Sequence, residues 1–372
     1  MMPHFGDEDL RKKEKVAEKK LAKLRSDMLE KDPMIVNGGH YEKLEAIENS
    51  PLYEAFLQMP KSVIHHCHLT GAVPVDFLVS LTYHRYVYYS EKENLFKINK
   101  NWVEDPKLVP EGYKQVQILR QYSQDAKQYD NEIKANILLS KITREDHNVW
   151  KDFQPKFMLT YELINYYEFF EKCLYRVCMD YIDEQVCAVE YRHIFGMLLD
   201  ENGPLSMERE LAIFKKVELN IRKRYERFRI KIICCGLKIL GIDHLKFQVK
   251  CLEEAADEVG NMITGIDLVN EEDYNVPVNE FLEVIYGAKE RFGDKLKVVL
   301  HAGESNNRNN TELYDAVLLG AVRIGHGFNL AKHPKLIEMV KENNICLECC
   351  PVSNKVLGYS HDYRCHPMRG LI

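Results

Sequence analysis

The chain has no apolar run approaching the roughly 18 to 20 residues that a membrane-spanning helix needs, so no such helix is expected. It also lacks a cationic excess: 51 Lys and Arg stand against 57 Asp and Glu, a net charge of -6. That balance argues against nucleic acid as the main partner, because a surface that tracks phosphates needs clustered positive charge. The opening residues, MMPHFGDEDLRKKEKV, contain no apolar core and do not read as a signal peptide. A cytoplasmic location is expected, and a secreted one only if a leader has been removed. No internal repeat or low-complexity tract is present. Cysteine is plentiful, but eleven is an odd number. Cys173, Cys178, Cys234, Cys235, Cys346, Cys349 and Cys350 sit inside apolar runs, which suits buried reduced thiols better than a disulfide framework.

What is there is an ordinary globular composition, 45% hydrophobic and 29% charged over 372 residues. That length is large for one core but common for an α/β barrel. Residues 7–31 are dense in Lys and Glu, with Leu10, Leu21, Leu24 and Met28 as sparse apolar marks. They read as a solvated helix with one narrow apolar stripe, an arm for a homodimer or larger assembly, or else as a frayed charged terminus. Pro33 and the Gly38-Gly39 pair separate this segment from the rest of the chain. The expected division is an arm or extension over 1–50 and a barrel over 51–372. An insertion at about 82–115 is rich in Tyr, Lys and Asn and contains Pro106 and Pro110.

Seven short apolar, β-branched or cysteine-rich runs predict strands at 62–69, 186–192, 230–236, 262–268, 296–301, 321–326 and 345–350. Helical periodicity fills 245–259, 278–292, 312–319 and 334–343 between the later ones. Repeated strand–helix alternation implies a parallel sheet, and seven units suggest closure into a barrel more than an open sheet. The expected class is therefore α/β, a (β/α)8 TIM barrel with seven strands recognisable and an N-terminal helical arm.

Three of the strand ends carry histidine. In VIHHCHLTGA, alternation along a strand sends His66 and His68 to one face and His65 and Cys67 to the other. Two imidazoles two residues apart make a bidentate clamp for a metal, with Gly71 turning the chain off the strand beside it. In VVLHAGES, an apolar strand runs into His301, with Gly303 and Glu304 just beyond it. The carboxyl end of a barrel strand is where such sites are built, and a carboxylate there suits proton transfer beside an activated water. In VRIGHGFNL, His326 stands between two glycines that clear space around it.

Together HHCHLTGA, LHAGES, RIGHGFNL and ECCPVSN, followed by His366-Pro367, resemble the adenosine/AMP deaminase superfamily. Met59–Lys61, Val149-Trp150 and the Gly265–Leu268 segment bring the resemblance closest to the growth-factor type adenosine deaminases. It runs from about residue 45 onward, in the same order and with similar spacing. The resemblance implies a metal-dependent-hydrolase barrel with one Zn²⁺ on His66, His68 and His301. It also implies His326 orienting the attacking hydroxide, Glu304 protonating the purine ring nitrogen beside C6, and Asn270 and Gly303 binding substrate. The substrate implied is a purine nucleoside such as adenosine, converted to inosine and ammonia. The other zinc deaminase class needs H-x-E with P-C-x-x-C; the C-x-x-C-C order at Cys346–Cys350 differs, and these cysteines are expected in strand core.

The sequence also departs from the family. Leu69 and Thr70 stand where members carry Asp, Asn270 stands where they carry glycine, and SNNRNN replaces an aromatic position. The eighth strand and its Asp motif, a further zinc ligand in the family, do not appear before Ile372. The rival expectation is a catalytically inactive relative serving as a structural subunit. Asn309-Asn310-Thr311 forms a glycosylation sequon.

Overall fold

Segments such as RIKIICCGL are apolar on both faces, the composition of a strand covered on each side. In the computed structural model, which describes residues 12–35, 40–123, 125–139 and 149–371, seven such segments form one parallel sheet. They are β1 (Lys61–His68), β2 (Val186–His193), β3 (Arg229–Leu237), β4 (Ile263–Val269), β5 (Lys297–Ala302), β6 (Arg323–His326) and β7 (Cys346–Glu348). Their order in the sheet is their order in the chain, and every pairing is parallel.

Helices return the chain between strands: Met207–Arg222, Gly241–Glu254, Leu282–Phe292, Glu312–Leu318 and Pro334–Glu342 each join two neighbours. The sheet curls into a nearly closed barrel of seven strands. Its first and last strands are bridged by His66 and Glu348, 2.9 Å apart. Phe169, Phe170, Phe214 and Leu174 fill the space between helices and barrel wall. The barrel interior holds a small apolar layer of Ile233, Cys235, Val269 and Val299, with Ile194 and Leu237 packed against it.

All seven expected strands are present, with corrections at their edges. Leu69 starts a helical turn, Leu69–Ala72, instead of ending β1. β7 stops at Glu348 because Pro351 opens the helix Pro351–Val356. Cys346 opens β7 but is exposed, and Cys349 and Cys350 lie half-buried beyond its end, so none of the three is strand core. All eleven cysteines are free. Two small sheets were not foreseen: Val87–Ser90, Leu95–Ile98 and Lys114–Gln115 pair antiparallel, as do Leu199–Asp200 and Gly203–Pro204.

The helix Lys12–Lys31 has no buried residue; residues 7–11, with Leu10, and the Gly38-Gly39 break lie outside the described residues. Among the described residues, no helix is long and apolar enough to cross a membrane.

The pairing of β1 with β2 shifts register between Ile64–Cys67 and Val189–Tyr191, three residues against two. This β-bulge breaks the period of two. His65, expected among the outer helices beside Cys67, instead joins charged groups of other strands: its Nδ1 lies 2.7 Å from Glu190 Oε2 and 3.2 Å from Arg323 Nη1. Cys67 does pack outward, buried against the Tyr181 hydroxyl at 3.3 Å.

Candidate active site

Four imidazoles meet at the carboxyl ends of three strands. His66 and His68 come from β1, His301 from β5 and His326 from β6. Ring centroids of His66 lie 5.3, 4.5 and 5.0 Å from those of His68, His301 and His326. The ligand atoms of His66, His68 and His301 all lie within 4.8 Å of one another. His68 Nε2 and His301 Nε2 are 3.1 Å apart. Nitrogens sharing one tetrahedral zinc at about 2.0–2.1 Å stand roughly 3.3 Å apart, so the donor set fits such an ion.

The outer nitrogens are already committed. His301 Nδ1 lies 2.7 Å from Asp267 Oδ2, and the same carboxylate accepts the His301 backbone N–H at 2.8 Å. His66 Nδ1 lies 2.9 Å from Glu348 Oε2. A carboxylate on Nδ1–H leaves the lone pair on Nε2, the usual way a protein aims a metal-ligating imidazole. Burial and the neighbouring imidazoles hold His66 and His301 well below the ordinary histidine value, and His68 falls to about 3. All three are neutral at physiological pH, with lone pairs free for a cation.

Arg192 supports this arrangement from inside the barrel. Its fully enclosed guanidinium reaches Asp267 Oδ2 at 3.2 Å and also contacts Glu348 and the His65 carbonyl. One cation thus braces both carboxylates that orient His66 and His301.

Glu304 is buried beyond β5 with its Oε1 3.2 Å from His326 Nδ1. Burial first, then the charge of Glu272, pushes its carboxyl well above the usual range, opposed by Lys238. That shift favours the protonated form, the state a proton donor needs. Its loop is clamped by Glu272, which accepts the backbone N–H of Gly303 at 3.0 Å and of Glu304 at 2.8 Å. Asp273 continues the clamp to Ser305 and Asn310.

Gly303 has φ 76°, and a Cβ there would strike Leu313 at 2.9 Å. Its own N–H is spent on Glu272. Asn270 holds φ 106°, a conformation that favours glycine, and its side-chain oxygen accepts from Asn275 at 2.8 Å. The loop thus keeps a glycine-like backbone with an anchored side chain.

Cys350 shares a second cluster with His66 and His326. Burial and Glu304 push its thiol up to about 12.

Sequence reasoning missed Arg192, Asp267, Glu272 and Glu348. Asp267 and Glu348 carried a signal, a lone charge inside an apolar strand, as in GIDLV and CLECC; Arg192 shares VEYRH with Glu190, and Glu272 lies between Glu271 and Asp273 just beyond β4. Buried charges persist only when paired.

Gly325 explains the first glycine beside His326, since a Cβ there would meet His66 Cε1 at 2.9 Å. Gly325→Ala is expected to displace the His66 ring and weaken zinc binding by on the order of 10–100-fold. Competition with a chromogenic chelator measures this; an unchanged affinity would show that the ring adapts.

A family model for adenosine deaminase matches residues 121–372. Adenosine deaminase 2-A of Danio rerio is 27% identical over 381 residues, covering 97% of this chain and 74% of that protein. Adenosine deaminase 2 of Homo sapiens is 25% identical over 352 residues, covering 89% and 67%. Among solved structures, an amidohydrolase from Burkholderia ambifaria with bound Zn superposes with TM-score 0.60 at 17% identity, over 86% of this chain and 74% of that one. Arabidopsis N6-mAMP deaminase gives TM-score 0.59 at 17% identity, over 86% and 80%. At such identities these two bear on the fold.

A parallel barrel whose strand ends gather four imidazoles and a buried carboxyl, with these similarities, defines a hydrolytic deaminase of the barrel type. With a family match over more than half of its length, the chain belongs to the adenosine deaminase family.

Proposed function

We propose that this chain deaminates adenosine or a close purine nucleoside to inosine and ammonia, with one Zn²⁺ held by His66, His68 and His301. The observation that carries the reading is a set of three converging imidazoles next to a buried carboxyl. When bound, the ion would supply Lewis-acid activation of a water at neutral pH.

The chain's own residues supply the rest. Glu304 gives its proton to the ring nitrogen beside C6 as the water oxygen bonds to C6. One proton of that water returns to the Glu304 carboxylate and the other passes to the amino group, so that the C6–N bond breaks, ammonia leaves, C6=O forms and Glu304 is protonated again. His326 orients the attacking oxygen from the end of β6, where a backbone φ of 65° holds it in a strained conformation. Asn270 and Gly303 shape the substrate side of the loops after β4 and β5. Asp267 and Glu348 keep the ligand imidazoles in the tautomer that presents Nε2.

The test combines metal analysis with the ultraviolet change from adenosine to inosine. The expected result is one zinc per chain with turnover, and loss of both in His68→Ala. Full zinc occupancy with no turnover of any purine nucleoside would overturn the proposal.

A further inference from the structure

We propose that Asn354 and His366 are positioning residues that fix the tautomer of His326, leaving its proton on Nε2. The inference rests on the proposed part of His326 in deamination, but its geometry stands apart from that reading. Both residues belong to motifs, PVSN and the His366-Pro367 pair, to which no role has yet been attached.

The polarity starts from a group that cannot reverse. The backbone N–H of Met368 donates to His366 Nδ1 at 3.1 Å. A backbone amide N–H is only a donor, so His366 Nδ1 carries the lone pair and Nε2 the proton of the neutral ring. That Nε2–H lies 3.0 Å from Asn354 Oδ1, which accepts it. The amide of Asn354 then presents its other end, and Nδ2–H donates to His326 Nδ1 at 3.2 Å. His326 Nδ1 is thereby an acceptor, and the proton of the neutral ring sits on Nε2.

All three side chains are buried, Asn354 completely, so bulk water offers no alternative partners. Glu304 leaves this direction uncontested. Its Oε1, 3.2 Å from the same His326 Nδ1, makes no hydrogen bond to it, so the hydrogen bond at that nitrogen is the one from Asn354. The consequence is mechanistic: His326 meets the attacking oxygen as a hydrogen-bond donor, holding it in line, and does not take its proton.

Asn354→Asp tests the relay, because a carboxylate at 354 accepts from His366 but cannot donate to His326. Histidine-¹⁵N-labelled, zinc-loaded protein is examined by long-range proton–nitrogen correlation, with His326→Gln assigning the His326 signals. The expected result is an Nε2–H ring in the native chain and an Nδ1–H ring in Asn354→Asp. The variant's kcat for adenosine should fall roughly 10²-fold with KM changed only a few-fold.

A native His326 with its proton on Nδ1 overturns the proposal, whatever the activity. So does an Asn354→Asp protein that switches tautomer and keeps the native kcat. If the variant fails to fold, the native spectrum alone decides. An Nε2–H ring in a protein that deaminates no purine nucleoside supports the relay and overturns only the proposed function.

Discussion

Glu304→Gln is expected to retain zinc and lose turnover by at least roughly 10²–10⁴-fold, the range that a positioned general acid contributes. Glutamine has nearly the shape of the protonated acid and can still donate a hydrogen bond. It cannot transfer a proton to the ring nitrogen. None of the three ligand histidines is touched, so metal content should match the native chain. Activity of the native chain should also fall on the alkaline side, as Glu304 gives up its proton.

The same variant makes a stability prediction with the opposite sign. The folded-state pKa of Glu304 lies well above its ordinary 4.5. Above pH 4.5 the unfolded chain releases a proton that the folded chain keeps, so this group's stabilising contribution declines as pH rises through its folded pKa. A glutamine has no such dependence. Melting curves at pH 5 and pH 8 should therefore show a smaller alkaline loss for Glu304→Gln than for the native chain. An active Glu304→Gln protein would remove Glu304 from its assigned role.

Those two expectations draw on residues of different visibility. His301 and His326 could be read directly, because each is a polar residue ending an apolar strand, with glycine one or two residues on. Glu304 was visible beside them, but its protonation was not: that depends on burial and on Glu272, which arrives from the loop after β4. The order of strands followed from period and composition, as parallel barrels join neighbours in sequence.

His65 was misread because alternation assumes an unbroken ladder, and a bulge is defined by the partner strand's register, which the β1 sequence does not contain. The small sheet within 87–115 escaped notice because its strands are two to four residues long, too short to show a period. Asn354 and His366 were visible as motifs yet mute as chemistry, since only the folded chain lines them up behind His326.

Arg192→Met should destabilise the protein by about 3–5 kcal/mol, the cost of stranding buried charge by removing its partner. The guanidinium of Arg192 is inaccessible to solvent, as is the Asp267 carboxylate, and Glu348 is nearly so. Methionine fills much the same volume as the arginine stem, so the loss would be electrostatic rather than a cavity effect. Arg323 still reaches Glu348 Oε1 at 2.7 Å, whereas Asp267 would keep only neutral donors at His301 and its own following amide. Asp267 should therefore suffer most, losing its hold on the Nδ1–H of His301. Metal affinity would then fall together with stability, which a defect remote from the site would not produce. Arg192→Lys separates the two contributions: it restores a charge but not the planar fork that reaches two carboxylates at once. Its stability should lie between native and Arg192→Met, with zinc affinity still reduced. Thermal melting of the metal-free proteins, read beside chelator competition, measures both quantities. An Arg192→Met protein as stable as the native chain would mean that the two carboxylates are neutral already, and that the arginine does not brace the site.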